Sequence, residues 1–158
     1  MSPTPRYLIV DGHSIIHAWD DLRKLHGRSA SRYMAREELL KRMRTLQDMT
    51  EERVVVVFDG TQARLTDERE AGGIQVFNAD SGHTADSVIE RLAAKYAKSC
   101  PLRVCTADGM IWETVRALEG HWISPDTLRY ELDKAESVLR AKIGKTRSGA
   151  TPILKPET

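Results

Sequence analysis

The sequence holds only two cysteines, Cys100 and Cys105. Two are too few for a disulfide framework, and neither stands at zinc-ligand spacing from a histidine. Cys105 lies inside an apolar run and is expected in the core, whereas Cys100 precedes Pro101 at a loop. No apolar run approaches the roughly 20 residues of a membrane span. Met1 to Arg6 lacks the basic and apolar regions of a secretion signal, so a cytoplasmic location and no membrane partner are expected. A formal net charge of +1 provides no global attraction for nucleic acid. No Gly-rich loop is present to cradle a phosphate.

What is present reads as one domain. A chain of 158 residues is long enough for one sheet with helices on both faces. Tyr7-Leu8-Ile9-Val10 is a short buried strand that ends at Asp11-Gly12, and residues 14–25 follow at roughly helical spacing. Residues 31–49 form a helix with Ser31 as its cap and Met34, Leu39, Leu40, Met43 and Leu46 on its apolar side. Arg53 to Phe58 is a β-branched run of the kind buried on both faces of a parallel sheet, and it too ends in Asp-Gly, at Asp59-Gly60. Residues 61–73 are polar and aperiodic and are expected to form a loop or a short irregular helix. Strands follow at 74–77, 102–106 and 121–123, with helices at 84–98, capped by Thr84, at 110–118, and from 126 to 143 behind Ser124-Pro125. Strands alternating with helices predict an α/β fold, three layers deep, around a parallel sheet of about five strands. The domain is expected to occupy residues 1–144. Residues 145–158 are expected to be a basic, mobile tail.

Three strands end in an aspartate: Asp11, Asp59 and Asp108. In an open α/β sheet, functional groups gather at the carboxyl ends of the strands near the switch in strand order. Asp86 lies in the first turn of its helix, and Glu90 projects from the same face four residues later. Taken singly, each acid has an ordinary structural role, as a turn former or as a partner of a helix dipole. Taken together, they are costly. Two carboxylates about 4 Å apart repel by roughly 4 kcal/mol at an effective dielectric near 20, unless a cation lies between them. Hard oxygen ligands suit magnesium or manganese, and such ions serve phosphodiester cleavage.

The same residues carry a family resemblance. The run Leu8-Ile9-Val10-Asp11-Gly12-His13-Ser14-Ile15-Ile16-His17-Ala18-Trp19 resembles the opening of NYN-domain ribonucleases of the YacP-like branch. Those proteins open with Asp-Gly-Tyr-Asn, an apolar pair and often Ala-Trp. The match continues through Val55 to Asp59, Thr84-Ala85-Asp86-Ser87 with Glu90-Arg91, Thr106-Ala107-Asp108 and Ile123-Ser124. It covers about residues 7–140. The resemblance implies a PIN-like fold and a metal-dependent endoribonuclease using Asp11, Asp59, Asp86 and Asp108. Magnesium or manganese would sit on Asp11, Asp86, Asp108 and Glu90. It further implies RNA as partner and, as in the best understood members, messenger RNA on the ribosome. Two positions depart from the pattern. Ser14 stands where the family has asparagine, and Ala107 where it often has serine. Both changes leave every acid in place.

Other residues are weaker candidates for RNA contact. His13 replaces the family tyrosine, and Ser14 and Thr106 carry hydroxyls near the acids. Arg64 and Arg91 suit bidentate phosphate contacts, as do Lys142, Lys145 and Arg147 in the basic C-terminus. His13 and His17, at i and i+4, lack a third zinc ligand. Trp19 and Trp112 are expected in the core, although a tryptophan can stack on a base. Two other readings stay open: a non-catalytic RNA-binding relative, and a small-molecule phosphotransferase. For the latter, a haloacid-dehalogenase-like enzyme would carry an acid at the position of His13.

Overall fold

The computed structural model describes residues 4–27, 32–62, 66–69, 73–80 and 84–153, with backbone alone at 32, 60–62, 66–69, 80 and 145–153. Twelve elements follow in order: β1 (Arg6–Asp11), α1 (Gly12–Ala18), α2 (Asp20–His26), α3 (Arg32–Met49), β2 (Glu52–Gln62), β3 (Thr66–Arg69), β4 (Gln75–Asp80), α4 (Ala85–Tyr96), β5 (Leu102–Cys105), α5 (Gly109–Ala117), β6 (His121–Ile123) and α6 (Pro125–Ile153).

The six strands form one sheet in the order β3-β4-β2-β1-β5-β6. Five of them run parallel, and only β3 runs antiparallel, along β4. The strand side chains alternate between two cores, which gives the expected three layers. Leu8, Val10, Val54, Val56 and Phe58 pack with Ile15, Leu22, Leu39, Met43, Leu128 and Leu132 from α1, α2, α3 and α6. Ile9, Val55, Val57 and Val104 pack with Val88, Ile89, Ile111 and Val115 from α4 and α5. Helices change face because the chain first builds the sheet to one side of β1 and then to the other, keeping each crossover right-handed. The switch lies between β1 and β5.

Several elements differ from the sequence reading. Residues 14–25 are two helices, broken at Trp19, whose backbone is extended (φ −92°, ψ 120°). The indole is 4% exposed and donates to the carbonyl of Pro125 at 3.1 Å, so burial of one large side chain redirects the chain. The polar segment 61–73 contributes the end of β2 and all of β3. A charged strand such as Thr66-Asp67-Glu68-Arg69 is suited to a sheet edge, where charge discourages further pairing. Asp59-Gly60 is no turn, since β2 continues to Gln62 with an irregularity in its pairing to β4 between Phe58 and Gln62. Met34 is 55% exposed; Ala35 takes its place in the core. The helix expected to end at Ile143 runs to Ile153; one interior glycine, Gly144, costs only about 1 kcal/mol and does not stop it. Ser31 lies outside the described residues. Thr84, by contrast, caps α4 as expected, its hydroxyl accepting from the amide of Ser87 at 3.3 Å.

Candidate active site at the carboxyl ends of the strands

Asp11 closes β1 at the switch point and caps α1. It is buried (5% exposed), so its charge needs partners. Its Oδ2 accepts from the hydroxyls of Ser14 at 2.9 Å and Thr106 at 3.0 Å. Thr106, the residue after β5, is fully buried; its Oγ1 also accepts from the amide of Asp108 at 3.0 Å. The hydroxyl of Ser14 accepts from the amide of Ala107 at 3.2 Å. Two hydroxyls therefore tie the ends of β1 and β5 together and fix Asp11 and Asp108 relative to each other. Gly12 is required beside them, because a Cβ there would overlap the Phe58 ring.

The other acids arrive from separate elements. Asp59, in β2, accepts from the amide of Ala85 at 2.6 Å, which holds the start of α4 against the sheet. Asp86 follows in the first turn of α4. Asp108 caps α5 by accepting from the amide of Met110 at 2.9 Å. The four aspartates converge, and Asp86 registers it. Burial, then a hydrogen bond from carboxyl to carboxyl with Asp108, then the charges of Asp11, Asp108 and Asp59 raise its pKa to about 7. Among the described residues, the charged neighbours that act on Asp86 are all carboxylates.

Asp11, His13, Ser14, His17, Asp59 and Asp86 line an open depression of about 430 Å³, inside the roughly 300–1,000 Å³ usual for ligand clefts. A larger cavity of about 690 Å³ lies at the opposite, amino ends of the strands, between Tyr7, Gln47, Arg53, Phe77 and Tyr96. Its acids Glu51 and Glu52 are already paired, with Arg6 and Arg103, so the chemistry lies with the smaller site.

Among the described residues, no three His, Cys, Asp or Glu side chains stand as a ready metal shell. The donor chemistry nonetheless fits a hard cation. Asp86 meets Asp108, Asp11 and Asp59, which together with burial raise its pKa, and carboxylate oxygens are the ligands magnesium and manganese take. Asp11, Asp86 and Asp108 are the residues that would hold it.

The remaining candidates divide. His13 lines the depression. Thr106 and Ser14 were expected to meet substrate; the structure instead uses their hydroxyls to position Asp11, and full burial removes Thr106 from any ligand. Glu90 does not join the cluster. It lines a separate hollow with Ser87, Arg91 and Ala94, because one more helical turn carries it about 5.4 Å further along α4. Arg91 lies in that hollow too. Lys142 is far from the acids: α6 starts at their end of the sheet, and by Glu131 it already reaches Arg103 and Glu52 at the other end. The side chains of Lys145 and Arg147, and all of Arg64, lie outside the described residues. Trp19 is core, and Trp112 is half-buried against Trp122, ring centroids 5.3 Å apart. His26, whose ring lies 5.3 Å from that of His17, was not singled out from sequence. It sits on a different helix, so no spacing links it to His13 and His17.

Comparison with known proteins agrees with this geometry. The family model described as the YacP-like NYN domain matches residues 8–156. The chain belongs to the YacP-like NYN family. Its relatives include the uncharacterized protein YacP of Bacillus subtilis, 36% identical over 91 residues, which are 54% of this chain and 50% of that protein. The chain thus spans about half the length of the curated relative it matches. The crystal structure of Rae1 (YacP) from Bacillus subtilis superposes with a TM-score of 0.77 at 27% identity, covering 92% of this chain and 84% of that one. Its W164L mutant gives 0.76 at 28% identity, over 90% and 83%. The NYN domain belongs to a nuclease superfamily, and this YacP-like chain has its α/β fold.

Proposed function

We propose that this YacP-like protein is a metal-dependent endoribonuclease, acting in the cytoplasm on RNA, including messenger RNA at the ribosome. One observation carries the reading: four aspartates from four elements converge, three of them lining one open depression, and among the described residues the charged groups acting on Asp86 are all further acids. Such a cluster costs stability and is explained by a divalent cation and a phosphodiester. A bound magnesium or manganese would neutralise the cluster and the charge that develops on the phosphate.

The chain's own groups do the positioning. Ser14 and Thr106 hold Asp11 in one orientation. Thr106 also holds the amide of Asp108, so the two acids keep their spacing. Asp59 fixes the start of α4 and thereby the place of Asp86. The depression is open, which suits a polymer that enters from the side. Ser14, which replaces the family asparagine, spends its hydroxyl on Asp11, so the acid stays oriented despite the exchange.

The test is an assay with labelled RNA and the matching DNA, with manganese or with chelator, comparing wild type with Asp11→Asn. The proposal expects manganese-dependent cleavage of RNA by wild type, with internal products, and loss of cleavage in the variant. Equal cleavage by both proteins, or none by wild type with manganese, contradicts it.

A further inference from the structure

We propose that His13, His17 and His26 form a ledge of rings beside the acid depression that stacks an unpaired base of the RNA and so selects single-stranded substrate. The inference rests on reading the chain as acting on RNA, and it names the form of RNA taken.

The ledge is continuous. Arg36 places its guanidinium 4.3 Å over the centroid of the Phe58 ring. The ring of His13 meets Phe58 edge to face at 5.9 Å and 87°. His13 and His17 lie nearly parallel, 24° apart, with centroids at 6.4 Å. His17 meets His26 at 5.3 Å and 71°. The three ring-to-ring spacings fall in the range of favourable aromatic contact, about 4.5–7 Å, and the guanidinium lies within the roughly 6 Å of a cation–π contact. The buried end is thus anchored by Phe58, which is 2% exposed, while His17 is exposed and His13 half-buried.

Position gives the row its meaning. His13 and His17 line the same depression as Asp11, Asp59 and Asp86. A backbone phosphate at the acids would bring a neighbouring base to these rings. Stacking on an aromatic face tolerates any base, because every base has a π-face. It also requires that the base be free of a partner, since a paired base keeps its faces inside the duplex. A zinc site is the other use of neighbouring histidines, but among the described residues no three His, Cys, Asp or Glu side chains, these three rings included, are placed to hold a metal ion. The ledge needs no charge on the rings. A phenyl ring should therefore replace the His17 imidazole, whereas a methyl group should not.

The experiment measures binding of a short fluorescent oligoadenylate by the full chain, in calcium to occupy oxygen sites without manganese. The arms compare wild type, His17→Ala and His17→Phe, the oligomer annealed to its complement, and an oligomer with one abasic nucleotide stepped along it. His17→Ala should weaken single-strand binding roughly 5- to 150-fold, the range for loss of one base–aromatic stack, and His17→Phe should restore most of it. At one position the abasic oligomer should bind wild type as weakly as His17→Ala binds the intact strand, with no further loss when both changes combine. The duplex should show no dependence on His17. Unchanged binding by His17→Ala, failure of His17→Phe to restore it, or absence of single-strand binding by wild type would overturn the ledge. Cleavage in manganese is scored separately. Cleavage with binding indifferent to His17 removes the ledge alone; ring-dependent binding without cleavage removes the nuclease reading alone.

Discussion

The two ends of the sheet treat the same kind of side chain in opposite ways. At the amino ends, Arg103 on β5 stands between Glu52 of β2 and Glu131 of α6. It donates to Glu131 at 2.8 and 2.9 Å and to Glu52 through Nε at 2.8 Å. Both carboxylates are bridged bidentately, and Arg103 is held more firmly protonated by them, Glu131 first. That cluster joins a central strand, its neighbour but one and a helix, and folding alone accounts for it. At the carboxyl ends, Asp86 faces Asp108, Asp11 and Asp59, and burial, a hydrogen bond to Asp108 and the charges of these acids raise its pKa to about 7. Folding alone does not account for that. Charge pairing thus separates the structural end from the functional end of one sheet, where cavity size points the wrong way.

The contrast can be broken at either end. The largest effect is expected on cleavage. Asp108→Asn keeps the cap on α5, because an amide oxygen also accepts from Met110. It should nevertheless reduce manganese-dependent RNA cleavage by at least 10²–10³-fold, on the order of what loss of one transition-state electrostatic group costs. Arg103→Met, assayed where it is folded, should leave cleavage near wild type. Equal losses in both variants would erase the distinction between the ends.

The next effect is on stability. Arg103→Met leaves Glu52 and Glu131 facing each other. The Arg103, Glu52 and Glu131 side chains are 26%, 12% and 29% exposed, so solvent screens part of the cost. Urea unfolding should show a loss of about 2–3 kcal/mol, below the 3–5 expected of a fully buried pair. A loss within the error of the measurement would mean that the cluster holds nothing together.

A smaller and pH-dependent effect belongs to the acid end. The pKa of Asp86 is raised from 3.8 to about 7, so the folded state holds a proton the unfolded chain would release. The resulting stability is fully present below about pH 3.8 and is lost as pH rises through about 7. In chelator, Asp108→Asn should melt higher than wild type above pH 7, by on the order of 1 kcal/mol after screening. The gap should close toward pH 4, below which Asp86 is protonated in both proteins. Manganese should raise the melting temperature of wild type more than that of the variant. A gap that does not change with pH would place its cause outside the titration of Asp86.

Much of this was legible in the sequence because strands buried on both faces advertise themselves. Tyr7 to Val10, Leu102 to Cys105 and the start of β2 could be placed within about a residue, and with them the positions of Asp11, Asp59 and Asp108. Thr66 to Arg69 could not be placed, since an edge strand needs no apolar face. Asp59-Gly60 carried a turn signal that pairing with β4 overrode. The break at Trp19 depends on a contact with Pro125, more than a hundred residues away, and no local pattern reports it. At the site, residue types and positions were readable, but the division of labour was not. Thr106 looked like a substrate contact until full burial and hydrogen bonding showed it holding Asp11, and Ser14, which lines the depression, also holds Asp11. Glu90 shared a helical face with Asp86 but not its depth along the helix.

The smallest effect concerns the basic C-terminus, which α6 carries away from the acids. If Lys142, Lys145 and Arg147 contact phosphates, replacing all three by alanine should lower the slope of log binding constant against log salt by somewhat under one unit per contact. The long axis of α6 makes that effect specific to long RNA. A slope changed equally for short and long RNA would place these side chains at the active site after all.

The central claim is that the clustered acids at the carboxyl end form a cation site. It is tested most directly by calorimetric titration of manganese into the metal-free protein near pH 7, in buffers of different ionisation heat. Binding should release a proton, seen as a buffer-dependent heat, because the proton that Asp86 holds up to about pH 7 must leave. Asp86→Asn should abolish or greatly weaken binding, and Arg103→Met should retain it. No binding to wild type, or binding unaffected by Asp86→Asn, would contradict the account.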